Sequence, residues 1–182
     1  MRTILFVCTA NQFRSPIAAA CFSKKLAGME WARGWIVQSA GTWASSGKPA
    51  LPVAMAAARK IGISLEGHEA SLITPELIST QDLILVMETD QKEALQNEYS
   101  IFSKHIFLLS EVTENKIENV IDPVMNGDDS YIESATAIQK MVENGFYRIC
   151  GKALKLRMYQ PMLYKGTPHK FSETVIQKNS PL

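Results

Sequence analysis

A chain of 182 residues with 46% hydrophobic and 20% charged residues is long enough to bury one good core, and one domain is the default at that length. No apolar run approaches the ~18 residues of a membrane span, and "MRTILFV" turns polar too soon for a secretory signal, so a membrane-spanning reading is excluded and a cytoplasmic location is expected. The three cysteines, Cys8, Cys21 and Cys150, are odd in number and widely spaced, which excludes a disulfide scaffold and a CxxC zinc site and favours free thiols.

In chain order, Thr3 to Val7 reads as a short buried strand. Ser15 to Lys25 reads as a helix with proline in its first turn and an apolar stripe through Ile17, Ala20 and Cys21. Trp35 to Ser39 is a second strand, followed by the loop "AGTWASSGKP" and an alanine-rich helix from about Ala50 to Lys60 that Gly62 terminates. Asp82 to Met87, "DLILVM", is the strongest strand signal in the chain. A helix through Lys92 to Gln96, a strand near Ile106 to Leu109 and a long helix from about Ser130 follow, the last with Tyr131, Ala135, Ile138 and Val142 on one face. Short apolar strands alternating with helices predict an α/β fold, a parallel sheet with helices on both sides in three layers.

The net charge of +1 is unevenly spread. Residues 1–150 carry 13 Lys+Arg against 17 Asp+Glu, whereas 151–182 carry 6 against 1. The expected organisation is a domain over 1–150 and a basic C-terminal tail over 151–182. Met158, Tyr159, Met162, Leu163, Tyr164 and Phe171 favour a tail docked on the acidic core surface, and a solvated appendage is the alternative.

"VCTANQFRSP", Val7 to Pro16, lies between the first strand and the first helix. In a parallel sheet this is the carboxyl end of a strand, where ligands bind. A tight turn into a helix gathers backbone N–H groups in one concavity, and the helix dipole adds positive potential, so an anion is favoured there. The same field favours a thiolate, the nucleophilic form of cysteine. Arg14 presents a planar fork of donors that suits two phosphoryl oxygens, and the Ser15 hydroxyl is placed to donate to the Cys8 thiolate. The bland alternative is a buried cysteine near an unrelated arginine. A C-x5-R-S match on one of three cysteines arises by chance in roughly one chain in a hundred, and the placement between strand and proline-started helix lowers those odds further.

The loop resembles the phosphate-binding loop of the low-molecular-weight protein tyrosine phosphatases, V-C-x-G-N-x-C-R-S-P. The resemblance continues through "SAGTWASSGKPALPVAMAAARKIGISLEGHEASLIT" and "DLILVMETDQKEAL" to Asp122-Pro123, covering about residues 3–145. It implies a Rossmann-like fold of that type and hydrolysis of phosphotyrosine in proteins. In that reading Cys8 attacks phosphorus to form a phosphocysteine, Arg14 holds the equatorial oxygens and Ser15 tunes the thiolate. Asn11 holds the loop conformation, and Asp122 protonates the leaving oxygen and then activates water. The phosphate or another oxyanion would sit on Thr9, Ala10, Asn11, Gln12, Phe13, Arg14 and Ser15. No metal and no cofactor is required, the expected partner is a phosphorylated protein, and no nucleic-acid partner is expected.

Several residues depart from the pattern. Ala10 stands where the family has glycine, and Phe13 replaces the second cysteine, so the usual disulfide partner of the nucleophile is missing. Gln12 occupies a position that helps select substrate, and Val124-Met125 stand where many members have aromatic residues. An arsenate reductase of the same fold would need relay cysteines near "LVMETDQKEAL", which has none. A protein arginine phosphatase and a non-catalytic phosphate-binding module of the same fold remain as alternatives. His68 is read as structural, Trp43 as lining the site mouth or packing, and Cys21 and Cys150 as core. Glu66, Glu69, Asp128 and Asp129 are read as solvated charges.

Overall fold

The structure is a computed structural model, described for residues 1–123 and 130–158. Strand β1 (Arg2–Cys8) is followed by α1 (Arg14–Ala27), β2 (Trp35–Gly41), α2 (Pro52–Lys60), α3 (Pro75–Ser79), β3 (Leu83–Val86), α4 (Thr89–Glu98), β4 (Ile106–Leu108), α5 (Leu109–Glu114) and α6 (Ser130–Met158). All strand pairings are parallel, in the order β2-β1-β3-β4. Side chains of a strand alternate between sheet faces, and β1 divides accordingly. Ile4, Phe6 and Cys8 pack with α1, α2 and α6 on one face, while Leu5 and Val7 join Ile78, Ile84, Val86 and Leu95 on the other. The sheet is therefore covered on both sides, in the three layers expected.

The predicted strands and long helices are all present, mostly with shifted ends. The helix predicted from Ser15 starts at Arg14 and runs to Ala27, and the fourth helix spans Thr89–Glu98 rather than Lys92 to Gln96. The two shortest helices, α3 and α5, were not predicted, because five or six residues hold too little of the 3.6-residue period to read. α6 runs across the boundary expected at 150/151. It continues through Gly151 to Met158, Ala153 is buried, and Arg157 reaches the Met1 carbonyl and Asp82. The boundary was drawn from charge, which does not mark where a helix ends; nothing crowds Gly151 and the helix carries across it. Residues 159–182, on which the docked-tail expectation falls, lie outside the described residues, as do Val124, Met125, Asp128 and Asp129.

The chain passes from β1 to β2 on one side and to β3 on the other. The switch point between β1 and β3 opens a crevice at their carboxyl ends, which is where a doubly wound sheet binds ligands. Cys8 ends β1 and Glu88 directly follows Met87 beyond β3.

Candidate active site

Five residues, Thr9 to Phe13, join β1 to α1. Their carbonyls are held from behind: Thr42 N–H donates to the Cys8 carbonyl at 2.9 Å, Trp43 N–H to that of Thr9 at 2.9 Å, and Leu51 N–H to that of Gln12 at 3.1 Å. His68 Nε2 lies 2.7 Å from the Asn11 carbonyl; a carbonyl only accepts, so this nitrogen carries the proton. In a planar trans peptide the N–H points opposite to the C=O, and no cis bond occurs among the described residues. Outward carbonyls at 8, 9, 11 and 12 therefore turn the N–H groups of Thr9, Ala10, Gln12 and Phe13 toward the inside of the loop, at the N-terminus of α1. This is a concavity of donors suited to an oxyanion.

Asn11 is the pivot. It has φ 55°, a left-handed conformation that asparagine tolerates better than most residues. Its side-chain amide donates to Ser15 Oγ and to Ser39 Oγ, both at 2.9 Å, and its Oδ1 accepts from Ser71 N–H at 2.8 Å. Ala10 has no positive φ, so the backbone conformation there does not require glycine; the left-handed turn falls one residue later. The close approach is made instead by Gly41, at the end of β2. A Cβ at this position would stand 2.5 Å from the Thr9 carbonyl oxygen and 2.9 Å from Asn11 N.

Cys8 Sγ lies 3.0 Å from Ser15 Oγ. Ser15 Oγ already accepts from Asn11, and its own hydrogen has two acceptors, Cys8 Sγ and the Ala40 carbonyl at 3.2 Å. A sulfur anion at Cys8 draws that hydrogen and is stabilised by it. Arg14 is 2% exposed, and a buried guanidinium needs partners. Its Nη1 donates to Glu88 Oε1 at 2.6 Å and to the Val120 carbonyl at 2.9 Å, and its Nη2 to Asp122 Oδ2 at 2.7 Å. Asp122, 114 residues beyond Cys8 in sequence, is thus brought to the same crevice with its side chain 32% exposed.

Of the predicted site residues, Cys8, Asn11, Phe13, Arg14 and Ser15 are buried, Thr9 and Ala10 are exposed, and Gln12 is half-buried with its amide donating to the Pro49 carbonyl at 2.8 Å. Phe13 turns away from the loop interior and packs edge-on against Tyr131, ring centroids 5.4 Å apart. His68 is structural as expected, as a clamp on the loop. Trp43 is 85% exposed beside the loop and does not pack in the core. Glu66 and Glu69 are exposed. Cys21 and Cys150 are buried as expected; burial pushes the Cys21 thiol up to about 12, with Glu143 adding to it, and that of Cys150 to about 11. The sequence reading missed Ser39, Gly41, Ser71, Glu88 and Gln91. For Glu88 a signal existed, an acidic residue directly after the strongest strand, at the sheet's ligand-binding end. Among the described residues no group of three or more His, Cys, Asp or Glu side chains is placed to hold a metal ion, and no helix is long and apolar enough to cross a membrane.

The model of the low molecular weight phosphotyrosine protein phosphatase family matches residues 3–155. A probable low molecular weight protein-tyrosine-phosphatase from Ralstonia nicotianae is 34% identical over 149 residues, 82% of this chain and 97% of that protein. A protein-arginine-phosphatase from Bacillus subtilis is 32% identical over 139 residues, 76% of this chain and 91% of that protein. Among solved structures, a low molecular weight protein tyrosine phosphatase from T. tengcongensis superimposes with TM-score 0.72 at 29% identity, covering 79% of this chain and 97% of that one. The YwlE arginine phosphatase, as a variant with a phosphorylated active-site serine, superimposes with TM-score 0.74 at 29% identity, covering 81% and 95%.

Proposed function

The chain belongs to the low-molecular-weight phosphotyrosine protein phosphatase family, and from that premise we propose that it hydrolyses phosphotyrosine in proteins through a phosphocysteine on Cys8. The observation that carries this reading is the convergence on one crevice of Cys8, its Ser15 partner at 3.0 Å, the buried Arg14 and Asp122 at 2.7 Å from Arg14. The phosphoryl group sits in the loop of inward N–H donors, its oxygens on those donors and on the Arg14 fork. Cys8 Sγ attacks phosphorus as the phosphorus–oxygen bond to the tyrosine breaks, and Asp122 gives its proton to the departing oxygen. Asp122 then takes a proton from water, which attacks the phosphocysteine and releases phosphate and the Cys8 thiolate. Ser15 donates to sulfur whenever sulfur bears charge, at the start and at the end. A phosphorylated serine in the active site of a similar structure is consistent with a covalent step at this position.

The protein arginine phosphatase reading is kept because relatives of that name match at 32% identity. The same sequence of steps applies to a phosphorus–nitrogen bond, with attack by Cys8 at phosphorus and protonation of the departing nitrogen. Initial rates on phosphotyrosyl, phosphoarginyl and phosphoseryl peptides of one sequence test the choice. Phosphotyrosine is expected to give the highest kcat/KM; a higher value for phosphoarginine overturns the tyrosine assignment, and no hydrolysis of any substrate favours the non-catalytic module. A cytoplasmic location is part of the proposal, since a catalytic free thiol is best kept in a reducing compartment.

A further inference from the structure

Gln91, in the first turn of α4, is 6% exposed, and every polar direction of its amide is used. Its Oε1 accepts from the Met87 N–H at 3.1 Å, and its Nε2 donates to Glu88 Oε2 at 2.7 Å and to Thr9 Oγ1 at 3.1 Å. Only this orientation of the amide serves both a backbone donor and a carboxylate acceptor. The two oxygens of Glu88 are thereby divided, Oε2 to Gln91 and Oε1 to Arg14 Nη1 at 2.6 Å. With each oxygen held by a different partner, rotating the carboxylate breaks one bond or the other, so the amide helps set the angle at which it grips the guanidinium. Thr9, the residue after Cys8, is tied to the same group.

We propose that Gln91 is a positioning residue for oxyanion binding, acting through Glu88 on the plane of the Arg14 guanidinium and directly on the start of the loop. This rests on the phosphatase reading above. The competing role is helix capping alone, through the Met87 N–H. Gln91→Glu keeps the size and the acceptor for Met87 but puts a negative charge where the donor to Glu88 and Thr9 stood, so unchanged phosphate binding in it leaves capping alone, while Gln91→Met removes the donor without adding a charge.

The test is a calorimetric titration with inorganic phosphate, beside thermal melts, of wild type, Gln91→Glu, Gln91→Met, Glu88→Ala and the Gln91→Met/Glu88→Ala double variant. Loss of a hydrogen bond to a charged group predicts that Gln91→Glu and Gln91→Met each weaken phosphate about 5- to 20-fold. In the double variant the two losses do not multiply, because the Gln91 effect through Glu88 is already gone. Wild-type affinity in Gln91→Glu overturns the positioning role in favour of capping, and fully multiplicative losses overturn the route through Glu88. Should Gln91→Met fail to fold, Gln91→Asn, which keeps an uncharged amide but draws it back by one methylene from Glu88, takes its place with the same expected loss. A wild-type chain that binds no phosphate overturns the phosphatase reading itself, whereas binding that Gln91→Glu leaves unchanged overturns the role of Gln91 alone.

Discussion

Gly41→Ala adds one methyl group to a residue that touches no substrate, yet it bears on the whole phosphate loop. The new Cβ would stand 2.5 Å from the Thr9 carbonyl oxygen, 2.9 Å from Asn11 N and 2.9 Å from Ala44 Cβ. Relief to ordinary contact requires a shift of about 0.7 to 1 Å. Two of these atoms are backbone, so no side-chain rotation provides it. Moving β2 away breaks the bonds from Thr42 and Trp43 N–H to the Cys8 and Thr9 carbonyls; moving the loop displaces the amides that hold the phosphoryl group. Overpacking of this kind costs about 1–3 kcal/mol, a fall of about 3–10 °C in melting temperature at this chain length. A displacement near 1 Å in a catalytic constellation costs about 100-fold in rate. Gly145→Ala is the control, since its Cβ would meet Thr113 Cα at 2.7 Å where α6 crosses α5, away from the loop. Both variants should melt lower, measured by circular dichroism, but only Gly41→Ala should lose kcat/KM on p-nitrophenyl phosphate. Wild-type kcat/KM and melting in Gly41→Ala would refute the close approach, and equal rate losses in both variants would refute its connection to catalysis.

Asp122→Asn keeps a polar contact for Arg14 but cannot donate a catalytic proton, and kcat on p-nitrophenyl phosphate should fall by about 10²- to 10⁴-fold; a rate within a factor of two of wild type removes Asp122 from its role. Hydrogen peroxide should inactivate the enzyme with poor recovery on adding dithiothreitol, because Phe13 cannot form a disulfide and Cys21 is buried about two turns beyond Arg14 in α1. Mass spectrometry showing a Cys8–Cys21 disulfide that dithiothreitol fully reverses would contradict this. The fold holds the Cys21 thiol protonated up to about 12, against 9.0 ordinarily, so the unfolded chain loses that proton first as pH rises. Stability from this group is thus intact below about pH 9 and is lost between there and about pH 12. Urea midpoints should fall over that window, less steeply in Cys21→Ala, and parallel curves for the two proteins would count against it.

Much of the candidate site was legible because it is contiguous. Cys8, Asn11, Arg14 and Ser15 lie within eight consecutive positions, from the end of a buried strand through one turn to the start of a helix, and both elements announce themselves by apolar pattern. Asp122 was legible only through resemblance, since aspartate before proline is an ordinary turn signal. The supports of the loop were illegible for a different reason. Ser39, Ser71, Glu88 and Gln91 act through contacts between residues 3 to 82 positions apart that depend on strand register and backbone direction. Gly41 looked like one glycine in a glycine-rich loop, and only the path of Thr9 to Asn11 beside it shows that a side chain cannot fit. Gly151 is the converse, a glycine at the start of the basic segment that helix α6 simply absorbs.

The central claim is that the phosphoryl group passes through Cys8 sulfur, 3.0 Å from Ser15 Oγ. Rapid acid quenching of Asp122→Asn during turnover of p-nitrophenyl phosphate, whose leaving group departs with little help from an acid, followed by peptide mass spectrometry, tests it directly, because loss of the general base then slows hydrolysis of the intermediate more than its formation. The expected result is a single phosphoryl adduct on the peptide carrying Cys8, absent when Cys8→Ala is added to the same variant. Continued turnover with no adduct on Cys8, or hydrolysis that survives Cys8→Ala, would contradict it.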